Sequence, residues 1–236
     1  MSSRLRASLR ACMFTCLAAT VWLAAAEPAR AGGRHKVPDL RSAPSTTRGP
    51  TQGVMLVPLT IHVASNLETR AQTLHRVRVA VARANRALEP YGFRVVVHKV
   101  WIMPGGYDTV TRRRDHRRLA EYASIDGTVH VFMVDRLELG SRLSGDRGVR
   151  GMHWRYRGLR KRFANRQYVV VNGDAPATTL VHELGHLFGL EHAYAHSNLM
   201  CSCRRGPRQV FTLGQGMIMR REARKFFRAN LRSGTR

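Results

Sequence analysis

His182-Glu183-Leu184-Gly185-His186-Leu187-Phe188-Gly189-Leu190-Glu191-His192 is the stretch from which the rest of the chain is read. On a helix, residues four apart share a side, so His182 and His186 project together and can meet one Zn²⁺ at ~2.0–2.1 Å. Glu183, next to the first ligand, reaches the remaining coordination position. Leu180, Leu184, Leu187 and Phe188 make the other side apolar, so this helix has its own reason to be buried. Gly189 can adopt the left-handed conformation that ends a helix, and three residues later the turned chain can bring back His192 as third ligand. Three protein ligands leave one position for a water whose pKa zinc lowers toward neutrality, and a neighbouring carboxylate can accept its proton. These are the parts that peptide-bond hydrolysis requires. Glu183 would act as general base toward the water and then as general acid toward the leaving amine, with one Zn²⁺ as cofactor.

The His-Glu-x-x-His core alone would arise by chance in roughly a few per cent of chains this long, and the spaced glycine and third histidine lower that rate more than about a hundredfold. With those additions the stretch resembles the metzincin family of zinc peptidases at His182, Glu183, His186, Gly189 and His192. The resemblance implies a methionine in a tight turn beneath the metal, and Met200 in Ser197-Asn198-Leu199-Met200 stands at a suitable distance. It also implies an α+β domain with a twisted, mixed five-stranded sheet, an active-site helix and a C-terminal helix. The likeness covers about three quarters of the chain, with its specific part confined to residues 182–200. Astacin-like and serralysin-like branches carry a tyrosine two residues after the turn methionine, where this chain has Ser202. Matrixins have serine after the third histidine and a zinc-blocking cysteine in the pro-segment. Here Ala193 follows and residues 32–53 contain no cysteine, which excludes a cysteine switch and leaves the branch unassigned. In metzincins the segment after the methionine walls the pocket for the residue following the cut bond. Arg204, Arg205 and Arg208 lie in that segment, so acidic side chains are expected there unless these arginines are simply solvated.

Outward from the motif, an N-terminal region carrying Arg4, Arg6 and Arg10 precedes the apolar run Ala11 to Ala26, with small residues at Ala29 and Ala31. This fits a signal peptide over 1–31, too short in its apolar part to span a bilayer, and so a secreted or periplasmic protein without stable membrane insertion. Removing Arg4, Arg6, Arg10, Arg30 and Glu27 lowers the net charge by three, from +25 to +22. Such a field attracts polyanions with little selectivity, and no nucleic-acid reading motif accompanies it, so no specific nucleic-acid partner is expected. Cys201 and Cys203, which remain after signal removal, cannot build a disulfide framework by themselves. They could pair, bind a second metal or stay inert. Residues 32–53, rich in Pro, Ser, Thr, Gly and Arg, read as a disordered leader or pro-segment.

The folded domain is expected over 54–236, as a monomer. Val54 to Ala64 reads as a buried strand, followed by a capping box at Ser65-Asn66-Leu67-Glu68 and a helix with the stripe Leu74, Val77, Val81, Ala84 and Leu88. Pro90-Tyr91-Gly92 ends that helix. Phe93 to Met103 and Gly127 to Leu137 read as strands, joined by a polar, Arg-rich connection, and Gln167 to Asn172 as another strand. Met152 to Arg157 alternates like an exposed edge strand; His153, Trp154 and Tyr156 would be cleft residues if substrate adds to it. Asp174-Ala175-Pro176 offers an N-cap acid and an early proline for the motif helix, and Thr212-Leu213-Gly214-Gln215 a capping box for a last helix. The sequence thus points to an exported zinc endopeptidase acting on protein or peptide substrates. A zinc hydrolase of exo- or cell-wall-peptide specificity is a rival within enzymes. Outside them, the rival is a basic secreted zinc protein that binds anionic surfaces or polymers without proteolysis.

Overall fold

A computed structural model describes residues 53–66, 70–138, 149–156, 163–203 and 209–233, all within the compact unit Pro50–Arg236. The expected signal segment, the leader up to residue 52, the second half of the first capping box and Arg204, Arg205 and Arg208 lie outside these residues.

Strand β1 (Met55–Val63) puts Val57, Leu59, Ile61 and Val63 on one face, where α1 (Arg70–Leu88) covers them with Val77, Ala84 and Leu88. The helix ends as its sequence requires: Glu89–Tyr91 tightens into a 3₁₀ turn, and Gly92 takes φ +70° and donates to the Glu89 carbonyl. The chain then returns as β2 (Phe93–Ile102), parallel to β1. Next comes a short β3 (Thr109–Val110), followed by α2 (Arg113–Tyr122), which buries only His116, Leu119 and Ala120. That helix stands where the sequence suggested a mere connection. With three buried side chains in ten residues and an arginine at the N-cap, its apolar periodicity is too thin to read. The expected strand Gly127 to Leu137 divides at Asp135 into β4 (Val129–Val134), buried on both faces, and β5 (Arg136–Leu137), which pairs with β3.

Two strands complete the main sheet, β6 (Gly151–Arg155) and β7 (Gln167–Asn172). Its order is β2-β1-β4-β7-β6; the first four run parallel and β6 is antiparallel at the edge, as a mixed five-stranded sheet demands. One face packs on α1, on α3 (Thr178–Leu187) and on α4 (Leu213–Ser233) around Leu59, Ile61, Leu184 and Met219. The other face carries a smaller core with α2, built on Phe132, Val134, Tyr168 and Leu119. Helix α3 does not start on Asp174. Its N-cap is Ala177, without a side-chain cap, and Asn172 organises the preceding turn by accepting from Asp174 and Ala175. By contrast, the capping box of α4 forms as read: Gln215 N–H donates to Thr212 Oγ1 at 3.2 Å and Thr212 N–H to Gln215 Oε1 at 2.9 Å. Among the described residues no helix is long and apolar enough to cross a membrane.

Candidate metal centre

Helix α3 is anchored by Leu180, Val181, Leu184 and Leu187, all buried, and this fixes which way its two histidines point. At its C-terminus Gly189 takes φ +85°, Leu190 N–H donates to the Gly185 carbonyl and Gly189 N–H to the His186 carbonyl. That pair of bonds is the Schellman arrangement, which reverses the chain so that His192 comes back over the helix. The three imidazoles then form a compact triangle, with ring centroids 4.8, 5.4 and 4.7 Å apart. One nitrogen from each of His182, His186 and His192 lies within 4.8 Å of the other two, and no other group of three among the described residues could hold a metal ion this way.

The proton positions follow from the partners. Nδ1 of His182 lies 2.7 Å from the Leu199 carbonyl and Nδ1 of His186 lies 2.8 Å from the Leu190 carbonyl. A carbonyl only accepts, so both Nδ1 atoms carry the proton and each neutral ring keeps its lone pair on Nε2. Nε2 of His186 sits 3.2 Å from Nε2 of His192, a separation that suits two nitrogens bound to one cation. Carbonyl partners of this kind orient metal-binding histidines. The donor set therefore fits a Zn²⁺ ion, held by His182, His186 and His192 with a position left for a non-protein ligand.

The remaining parts close around the triangle. Met200 is fully buried beneath the helix, where a Cβ on Gly185 would stand 2.5 Å from its sulfur. Its carbonyl accepts from Ala193 N–H at 2.9 Å, which fixes the residue next to His192, while the preceding Leu199 carbonyl holds His182. Asn198 binds this turn together: its Oδ1 accepts from Met200 N–H at 2.8 Å, and its amide exchanges two bonds with Gln215, at 2.9 and 3.2 Å. The cap of α4 thus steadies the turn that carries Met200, a second role for Gln215 that its capping pattern does not reveal. Cys201 and Cys203 follow at once and are joined as a disulfide.

Glu183 is buried and lines the same cavity as the three histidines, a space of about 1020 Å³. Strand β6 forms one wall. A Cβ on Gly151 would lie 2.4 Å from Thr179 Cγ2 and 2.9 Å from Glu183 Oε1, so glycine here lets the strand backbone approach the glutamate. Nothing in the sequence marks this position beyond a glycine at the head of an alternating strand. The alternation along β6 and into Tyr156 also separates the three residues expected in the cleft. His153 lines the cavity and shares a hydrogen bond with Gln167 Oε1 at 3.1 Å. Trp154 and Tyr156 face the other side: Trp154 stacks on His116 with centroids 3.8 Å apart, and Tyr156 packs against Phe163. Helix α4 supplies a further wall through Lys225, Phe226 and Asn230, which no sequence pattern announced.

The sequence matches no family model and no curated protein. Among solved structures, it is similar to metalloproteinase-II from Bacteroides fragilis, with 14% identity and a TM-score of 0.49 over 73% of this chain and 55% of that one. This chain thus spans little more than half the length of that protein. It is also similar to an archaemetzincin from Methanopyrus kandleri (17%, TM-score 0.46, 74% of this chain and 98% of that one). A zinc-dependent peptidase from Methanocorpusculum labreanum is a third (13%, TM-score 0.44, 68% and 99%).

Proposed function

We propose that this protein is an exported zinc endopeptidase of the metzincin kind. The observation that carries this reading is the triangle of His182, His186 and His192, with two Nδ1 atoms committed to carbonyls, in one cavity with the buried Glu183. A structural zinc normally takes four protein ligands. Three imidazoles in an open cavity are the arrangement that leaves room for water and substrate. When bound, Zn²⁺ would polarise the scissile carbonyl and acidify a water at that position. Glu183 is placed to take a proton from a water at that position and would deliver it to the leaving amine. Met200 supports the helix from below, and Ala193 and Leu199 hold the outer and inner histidines in place.

Among the described residues β6 is the edge strand next to Glu183, and an extended peptide would pair with its outer side as a further strand. His153 and Arg155 line the cavity on that side, whereas Trp154 and Tyr156 would act on substrate only through the strand they support. Arg204, Arg205 and Arg208 favour acidic side chains after the cut bond. Export rests on the N-terminal signal pattern, and the protein works as a monomer on protein or peptide substrates.

Purified protein and its Glu183→Gln variant, incubated with a mixed peptide library and assayed for zinc, test the proposal. Both should hold about one zinc, only the parent should cut, and internal cuts in a folded substrate should exclude a strict exopeptidase. Zinc in both with cleavage by neither would remove the peptidase reading.

A further inference from the structure

A second cavity, of about 550 Å³, lies on the sheet face turned away from α3 and shares no lining residue with the metal cavity. Register across β2-β1-β4 sets Lys99, Thr60 and His130 in one row and Trp101, His62 and Phe132 in the next. Its mouth is aromatic and open. Trp101 is 54% exposed, Ile102 56% and Tyr122 37%, while the floor is polar, with Thr60, Thr128 and Asp126 in hydrogen-bond contact.

Helix α2 leads into this cavity through Tyr122 and carries Arg112, Arg113, Arg114, Arg117 and Arg118, all exposed, at and after its N-cap. Cations crowded at a helix N-terminus oppose the macrodipole, so helix stability does not explain them. The one acid among them, Asp115, caps the backbone of Thr111 and Arg112 and lies 3.7 Å from Arg114, so it offsets only part of this charge. From the arginines an aromatic track runs to the cavity: the Arg118 guanidinium lies 4.3 Å over Tyr107, Tyr107 stands edge-on to Tyr122 at 5.3 Å, and Tyr122 stands 6.2 Å from His62.

A cationic rail beside exposed aromatic faces and a pocket of small-molecule size is the chemistry that holds unpaired bases and their phosphates. We infer that this face binds single-stranded nucleic acid without sequence selectivity, phosphates on the α2 arginines and a base stacked at Trp101 and Tyr122. A duplex, with its bases paired and stacked, cannot use the cavity. The site is independent of the metal centre.

Fluorescence anisotropy of a labelled 15-mer of thymidylate tests the inference against an abasic strand of equal phosphate count, at two salt concentrations. The thymidylate strand should bind roughly fivefold or more tightly than the abasic one. Trp101→Ala, at a half-exposed position, should erase that gap, and Trp101→Phe should keep most of it. Arg113→Gln with Arg117→Gln should weaken both strands alike and flatten the salt dependence. Equal binding of the two strands by the parent protein, or a gap that survives Trp101→Ala, would overturn the inference; so would binding of a sulfated polysaccharide with no binding of thymidylate.

Discussion

His182 and His186 each set Nδ1 against a backbone carbonyl, whereas His62 and His130 set ring nitrogens against each other, 2.9 Å apart. In the second pair, Asp126 Oδ1 lies 3.2 Å from His130 Nε2 and, as a carboxylate, accepts its proton. His130 Nδ1 must then accept from His62 Nε2–H, and the bare Nδ1 of His62 is left buried without a partner among the described residues. Burial holds His62 neutral, its pKa pulled down to about 3 with the help of His130, and it lowers His130 as well. Both clusters bring imidazoles together, but only one leaves lone pairs converging. Clustered histidines are therefore not enough to make a metal site; the partners on the far side of each ring decide.

His186→Ala should break this contrast most severely, taking zinc from about one per chain to almost none and cleavage with it, as metal analysis and a peptide assay would show. His130→Phe should leave zinc content unchanged; a folded His130→Phe protein without zinc would mean that the two clusters are not separate. Gly151→Ala would force a methyl group into Thr179 and Glu183, and overpacking of this kind costs about 1–3 kcal/mol. Its rate constant for cleavage should fall about tenfold or more while zinc stays bound, which separates Glu183 placement from metal binding. Asn198→Ala takes the acceptor from Met200 N–H and from Gln215 Nε2, and zinc affinity, read by chelator competition, should drop about tenfold.

The smallest expected effect concerns pH. A histidine whose pKa is lowered by folding adds stability that is complete above its unfolded value of 6.5 and is lost as pH falls toward the folded value. For His62 that value is about 3 and for His116, lowered by burial, about 4, so the window runs downward from pH 6.5. The melting temperature should decline through this range. His62→Phe, which removes one unsatisfied nitrogen but leaves the buried His130 Nδ1 without its donor, should lower stability at pH 7 and shallow the decline. An unchanged slope would show that His62 is not the acid-sensitive group.

The helix and turn around the three histidines were readable because chemistry and fold constrain the same letters: His182 and His186 share one helix side, the leucines the other, and Gly189 must be left-handed. β1, α1, β7 and the cap of α4 were legible for the same reason, since period and capping signals agree there. What escaped were contacts between distant segments. Gly151 matters because β6 lies against Glu183, and Asn198 because α4 presents Gln215, neither of which has a local signature. Asp174 has the composition of an N-cap, yet the turn is organised from Asn172 and the helix starts later. Helix α2 escaped because its exposed arginines outnumber its three buried anchors.

X-ray absorption at the zinc edge of the zinc-loaded protein bears most directly on the three-histidine centre. Three imidazole nitrogens at ~2.0–2.1 Å and one further light atom are the expected shell, with one nitrogen fewer in His192→Ala. Sulfur at ~2.3 Å, pointing to Cys201 and Cys203, or a shell unchanged by His192→Ala, would contradict it.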